Sequence, residues 1–458
     1  MTTCTSRAAW LNLLLRLHFY IGLFIGPFIF VAALTGTLYV ATPQLESWLY
    51  KETLEGTLSG EKQPLSAQIT VAMEAVQGNL RLHAVRPGIM AGDTTRVMFI
   101  DPNLGESETR AIFVDPVTLR VTGDMPVYGT SGILPLRQWI DYAHRSLLLG
   151  NFGRLYSELA ASWMWVAALG GIALWSMTRP RRRINNRVQN NRRLHVSLGW
   201  ALLIGMLLFS ATGLTWSQWA GSNVDKMRTA FGWLTPQVNA QLEKATPAIQ
   251  DPHAEHHMRH GAMEKTNVPL RVEDFDEVLQ AARKAGLEAG KLEIRPPSAS
   301  GRAWTVNEID RSWPTQVDAV AIDGSNMQVV DRTHFSDFPL MAKLTRWGVD
   351  FHMGILFGLA NQLLLIVFGI ALCVMIVVGY RLWWIRRPAS SAFNPANTLL
   401  HAWLGLAWPA RLSIGVITVM LGLALPLPLM GISLALCLAV DYLRWRAATA
   451  MTEAKSVE

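Results

Sequence analysis

Long apolar runs dominate the chain, and mixed polar patterning is confined to the stretches between them. Runs at roughly 13–41, 157–178, 194–216, 353–384, 402–425 and 427–443 are read as membrane-spanning helices, since a span takes about 20 apolar residues. The last two form one apolar stretch broken at Pro426-Leu427-Pro428, which reads as a tight turn between short helices. Between the runs lie two long segments of different character. In the first, 64–77 has helical periodicity, and strand-like runs follow at 96–101, 111–115 and 119–122. In the second, 272–285 is helical in pattern, with Asp274 a candidate cap. Strand-like runs follow at 291–295, 303–309 and 317–322, and a hairpin turn at Asp323-Gly324-Ser325-Asn326 leads into 327–330.

The pattern repeats. Arg16-Leu17-His18 and Arg193-Leu194-His195 both open RLHxxxG motifs, and a Thr-Gly pair stands 17 residues beyond each histidine, at Thr35-Gly36 and Thr212-Gly213. A second set of markers shares an offset of 208: His144 and His352, Trp139 and Trp347, Asp115 and Asp323, and the GxxLW motifs at Gly171 and Gly379. The two histidine offsets differ by about 31 residues, which implies an insertion in the second copy of that size. The expected architecture is therefore a mainly α-helical polytopic membrane protein with six transmembrane helices. It is internally duplicated, with two small α+β domains outside the membrane at 42–156 and 217–351.

Composition supports this class. Half of the 458 residues are hydrophobic and only 16% are charged, below the ~25% of soluble domains. The net charge of +7 does not signal nucleic acid, because the basic residues flank the spans. Residues 179–193 hold seven arginines and no acid. Arg381, Arg386 and Arg387 follow the fourth span, Arg444 and Arg446 the sixth, and Arg7 and Arg16 precede the first. The positive-inside rule puts these in the cytoplasm, with both termini inside and two large periplasmic loops. The N-terminal run is too long for a signal peptide and lacks a small-residue cleavage site, so it reads as an uncleaved first span. Cys4, Cys373 and Cys437 offer neither a disulfide framework nor a CxxC metal pair.

Candidate chemistry rests on histidines. Ionisable side chains at membrane depth are costly and mark function by default, although a single histidine at a span end is more often interfacial. Here His18 and His195 fall at the inner ends of spans, and His144 and His352 at outer ends. Neutral imidazoles in pairs suit the two axial positions of haem iron. The economical reading is two b-type haems, with His18 and His195 on the inner one and His144 and His352 on the outer one. No CxxCH is present, which excludes covalent attachment. Gly22, Gly26, Gly199, Gly205, Gly358 and Gly369 are candidates for the close approach of a flat macrocycle, or for helix–helix contact. His401 lies in an LHxxLG echo of the third span and is an alternative inner ligand or an interfacial residue. His253, His256, His257 and His260 have spacing suited to one helix face and to a transition metal, but equally suit a solvated loop. Trp163, Trp165, Trp175, Trp216, Trp219, Trp383, Trp384 and Trp403 read mainly as interfacial anchors, one or two of them as porphyrin contacts or electron relays.

Together the two RLHxxxG…TG runs, His144 with Gly153-Arg154 behind it, Phe351-His352-Met353-Gly354 with Phe357-Gly358, and the GxxLWW motif ending in Arg386-Arg387 resemble the PepSY-associated transmembrane helix family over roughly residues 10–390. Val114–Val121 and Ile322–Val330 look like PepSY-type units. The resemblance implies a bacterial inner-membrane protein linked to iron uptake. Some members are siderophore-iron reductases with haem held by span histidines, and some relatives carry a fused flavoprotein domain, of which no flavin or GxGxxG motif is seen here. The expected function is electron transfer through haem to a periplasmic ferric siderophore or other iron chelate. The donor would be external, a quinol or a partner flavoprotein, and membrane lipid the remaining partner. A transporter for iron, siderophore or haem, and a non-catalytic scaffold with partner-binding outer domains, are the competing expectations.

Overall fold

The computed structural model describes residues 6–178, 186–242, 270–386, 398–404 and 422–457. His253, His256, His257, His260, most of the expected fifth span and part of the arginine-rich loop lie outside these residues. The chain forms two compact units: Met1–Leu38, Asp141–Met227 and Leu363–Glu458 make the first, Tyr39–Ile140 and Arg228–Gln362 the second.

In chain order the elements are α1 (Ser6–Phe24), α2 (Gly26–Leu49), α3 (Lys51–Leu54), α4 (Leu65–Ala75), β1 (Arg81–Arg86), β2 (Thr95–Ile100), β3 (Glu108–Val114), β4 (Val121–Tyr128), α5 (Pro135–Ser146), α6 (Gly150–Met177), α7 (Arg187–Thr215), α8 (Trp219–Ala230) and α9 (Asp274–Lys284). There follow β5 (Leu292–Arg295), β6 (Trp304–Glu308), β7 (Ala319–Ile322), β8 (Val329–Thr333), α10 (Leu340–His352), α11 (Gly358–Arg386), α12 (Leu399–Leu404) and α13 (Pro428–Val457). Among the described residues five helices are long and apolar enough to cross a membrane: α2, α6, α7, α11 and the Pro428–Met451 part of α13. This is a multi-pass membrane protein.

The first apolar run was expected as one helix, but it breaks at Ile25 between α1 and α2. Pro27 explains the break. It has no N–H to give the carbonyl four residues back, Leu23. Tyr380 of α11 donates its hydroxyl to that carbonyl at 2.7 Å, and its ring packs beside Gly26. The rest of the first unit packs around Ile21, Ile25, Ile29, Ala160, Trp163, Met164, Leu202, Met206, Leu372 and Met430. The Pro426–Pro428 break is a turn, and Pro428 opens α13, where its missing N–H costs nothing.

The second unit holds one antiparallel sheet of eight strands in the order β4-β3-β2-β1-β5-β6-β7-β8. The two loop segments thus fold together. Their join is β1 against β5, with Val85 opposite Ile294, and a buried Arg86–Glu293 ion pair at 2.7 Å beside it. Arg295 and Arg86 hold the Glu293 carboxyl at about 2, against the opposing effect of its burial. Helices α4 and α9 share one core with the strands, through Ile69, Ala72, Phe275, Val278 and Ala282. Asp276 accepts from the amides of Leu65 at 2.7 Å and Ser66 at 3.0 Å, so an acid from α9 caps α4. Asp274, the expected cap, is instead the first residue of α9, and Glu273 precedes it without a side-chain cap bond. Strand β1 was not foreseen, because Arg81, His83 and Arg86 mask its alternation.

The two hairpins at Asp115 and Asp323 have the same backbone bonds. Leu119 N–H reaches Asp115 C=O and Met327 N–H reaches Asp323 C=O. Both Leu119 and Met327 are left-handed, at φ 59° and 56°.

Replacing Asp276 with Ala should lower unfolding stability by about 1 kcal/mol, the usual worth of a helix cap, as read by denaturant melts. Burial first, then Asp318 and Asp310, push the Glu308 carboxyl on β6 up to about 7. A raised carboxyl stabilises the fold below its unfolded value and loses that contribution as pH rises through the folded one. Glu308→Gln should therefore raise the melting temperature relative to wild type at pH 8 and leave it nearly unchanged at about pH 3.5, below the unfolded value. An equal effect at both values would exclude the titration.

Candidate functional site

His18 on α1 and His195 on α7 meet inside the first unit. Their ring centroids are 6.3 Å apart and the planes stand edge to face at 77°. A metal shared by two imidazoles, with metal–nitrogen bonds of ~2 Å, places the centroids at a similar separation. Each ring rests on a glycine backbone. A Cβ on Gly171 would come within 3.3 Å of His18 Cε1, and one on Gly379 within 3.3 Å of His195 Cε1. These are the glycines of the two GxxLW motifs, whose role the sequence left open. His195 Nδ1 lies 3.0 Å from the Met375 carbonyl. A carbonyl only accepts, so Nδ1 carries the proton and Nε2 the lone pair. His18 Nδ1 is buried without a hydrogen bond.

His144 closes the last turn of α5. Its Nδ1 lies 3.1 Å from Thr35 Oγ1. That hydroxyl already gives its proton to the Val31 carbonyl at 2.7 Å, so the imidazole donates and again holds its lone pair on Nε2. Gly36 seats the ring, with a Cβ there falling 3.1 Å from Cε1. The Thr-Gly pair found by spacing thus places one residue as hydrogen-bond partner and the other as seat. Burial lowers the His144 pKa, with Asp141 opposing, which keeps the ring neutral and fit to be a ligand.

The elbow after His144 is tightly made. Leu147 and Leu148 are left-handed at φ 52° and 60°, a conformation leucine adopts only under tertiary constraint. Tyr156 donates to the carbonyls of Ala143 and His144, and Ser157 to that of Arg145 at 2.8 Å, satisfying the end of α5. Gly153 is required because a Cβ would collide with the Ser146 carbonyl. Arg154 caps α7 at the Trp216 carbonyl, 3.0 Å away. Glu158, 1% exposed, accepts from the amides of Trp219 and Ala220 and so caps α8.

The other expected residues are placed differently. His352 is half-buried, ends α10 and belongs to the second unit. Nearby, the fully buried Asp350 lies 3.1 Å from Arg346 and 3.9 Å from Arg311. His401 is exposed on α12, which buries Leu399 and Ala402 instead. Of the glycines expected to admit a macrocycle, Gly26 faces Tyr380, Gly205 faces Phe368 and Gly369 faces Thr37, all packing contacts. Trp163 is no interfacial anchor: it is 5% exposed at the middle of α6. Among the described residues no group of three or more His, Cys, Asp or Glu is arranged to hold a metal ion.

Apolar helices that seat imidazoles on glycine backbones, together with an antiparallel sheet unit, define a multi-pass membrane protein with the His18–His195 pair and His144 as its candidate site. The chain belongs to the PepSY-associated TM region family, whose model matches residues 15–386. A comparison with curated proteins gives no match.

Gly153→Ala should destabilise the fold by about 1–3 kcal/mol, the usual cost of overpacking. Gly78→Ala, with open space around it but a left-handed backbone, should cost about 1–2 kcal/mol, from the backbone alone. Thermal melts of both variants in detergent would check the contrast, and an unperturbed Gly153→Ala would show that the elbow does not need the glycine.

Proposed function

We propose that this protein is an inner-membrane electron carrier that holds b-type haem through its span histidines and reduces ferric chelates, such as siderophore-iron, on the periplasmic side. The observation that carries this reading is the His18–His195 pair, set edge to face at 6.3 Å on two different helices. The glycine seats at Gly171 and Gly379 and the fixed tautomer of His195 support it. These are features of prepared ligands rather than of interfacial histidines. His144, with its Thr35 bond and Gly36 seat, is the ligand proposed for a second haem.

Bound haem supplies one-electron chemistry at a potential set by axial ligands and burial. The chain's own part is to keep the Nε2 of His195 and of His144 available, to exclude water with the Ile21–Met206 core, and to fix the orientation of those two rings through Met375 and Thr35. Fe(III) held by hard oxygen donors binds more tightly than Fe(II), so reduction releases the iron. Electrons enter from a quinol or a flavoprotein on the inner face.

Six spans with both termini cytoplasmic belong to this reading, as does the internal duplication. The matching left-handed residues Leu119 and Met327, and a strand order that mirrors itself about β1 and β5, support the duplication.

The test is a dithionite-reduced minus oxidised visible spectrum of the purified protein. Sharp low-spin α and Soret bands are expected, and His195→Ala should remove about one haem of two. A colourless wild type sinks the proposal. Uptake of iron or chelate into proteoliposomes by colourless protein would favour a transporter instead.

A further inference from the structure

Three residues on α6 share one stripe of the helix. Tyr156, Trp163 and Gly170 are spaced by seven, two turns each, so they point the same way. Each step advances about 10 Å and the whole stripe about 21 Å. Its two ends touch the two histidine sites of the first unit. Tyr156 donates to the carbonyl of His144. Gly170 and Gly171 lie against His18. Trp163 stands midway.

Trp163 has no interfacial task to explain it. It is 5% exposed and belongs to the same packed core as Ile29, Met206 and Met430. Tryptophan is normally placed where its polar edge reaches water or headgroups. Here the indole Nε1 donates to Ser433 Oγ on α13 at 2.9 Å, and that hydroxyl in turn donates to the Met430 carbonyl at 3.0 Å. The serine lies outside the stretch that matches the family, residues 15–386. One side chain from the C-terminal helix thus satisfies the indole N–H in the middle of a span. The Phe28 ring, 6.4 Å from that of Tyr156, extends the aromatic stripe at the other end.

We propose that Trp163 is the electronic bridge between the His18–His195 site and the His144 site. The inference rests on the haem reading above. One electron leaves the reduced site at the inner pair and arrives at the oxidised site at His144. No bond forms or breaks and no proton moves. Trp163 itself is neither oxidised nor reduced: its π orbitals couple two sites that aliphatic packing alone would couple weakly. Ser433 acts as a positioning residue that holds the indole plane without entering the path.

The experiment is pulsed photoreduction of the purified protein in lipid nanodiscs, following redistribution of the electron between the two sites in the Soret region. Haem content is counted on the same samples, and neither measurement needs a chelate or turnover. Trp163→Leu should keep wild-type haem content and slow the redistribution by about tenfold or more, while Trp163→Phe, which keeps a ring, should fall between. If Trp163→Leu does not fold, Trp163→Phe and Trp163→Met decide by the same ordering of rates. Full haem content with an unchanged rate in Trp163→Leu would overturn the proposal and leave the haem reading intact. Equal slowing in the phenylalanine and leucine variants would also overturn it, since any loss of packing would then serve as well as loss of the ring. A colourless wild type is a different failure, that of the haem reading itself.

Discussion

Within a bilayer there is no water to satisfy a stray polar group, so the chain must supply every partner from its own atoms. Much of the first unit answers that constraint. Pro27 leaves the Leu23 carbonyl unbonded, and Tyr380 fills the place from another helix. Glu158, buried near the start of α6, spends both carboxylate oxygens on the first amides of α8. Asp441, 2% exposed on α13, accepts from Tyr20 at 2.7 Å and from the Leu400 amide at 2.8 Å, tying α1, α12 and α13 together. These bonds fix helices against each other more specifically than apolar packing can, because lipid competes for apolar contact but not for a hydrogen bond.

The histidines use the same rule for another end. An imidazole has two nitrogens, and giving one to a fixed acceptor decides which lone pair is presented. Met375 does this for His195 and Thr35 for His144. Glycines then bring the ring flush with a neighbouring helix. A Cβ on either seat would come within 3.1–3.3 Å of the ring, which would then have to give by a few tenths of an ångström. The sheet unit shows a comparable economy. Two segments, each too small for a substantial core, join edge to edge at β1 and β5 and bury their helices α4 and α9 in a single interior.

How far these features could be read in advance depended on their range. Among the described residues five spans followed from run length, and α4, α9, β2, β3, β5, β6 and β7 from local periodicity. The offset of 208 pointed to His144, and the spacing of RLHxxxG and Thr-Gly pointed to His18 and His195. It did not say what the threonine and glycine were for, because that depends on which helix lies opposite. Strand β1 was missed because its charged residues are paired at the sheet join: Arg86 meets Glu293, 207 positions away. Of the six candidate glycines, Gly26, Gly205 and Gly369 took the helix-contact alternative for a related reason. A small residue in a span signals close approach, but not of what.

The sequence by itself determined the class of protein and the family, and singled out the candidate histidines. Hydrophobic run length, charge flanks and motif spacing are properties of the linear chain. Only the tertiary structure decided which histidines meet, which nitrogen His195 and His144 offer, and that Trp163 lies at the centre of a span core rather than at its edge. Those outcomes depend on contacts between segments more than a hundred residues apart, and no local pattern encodes the partner of a side chain across such a distance.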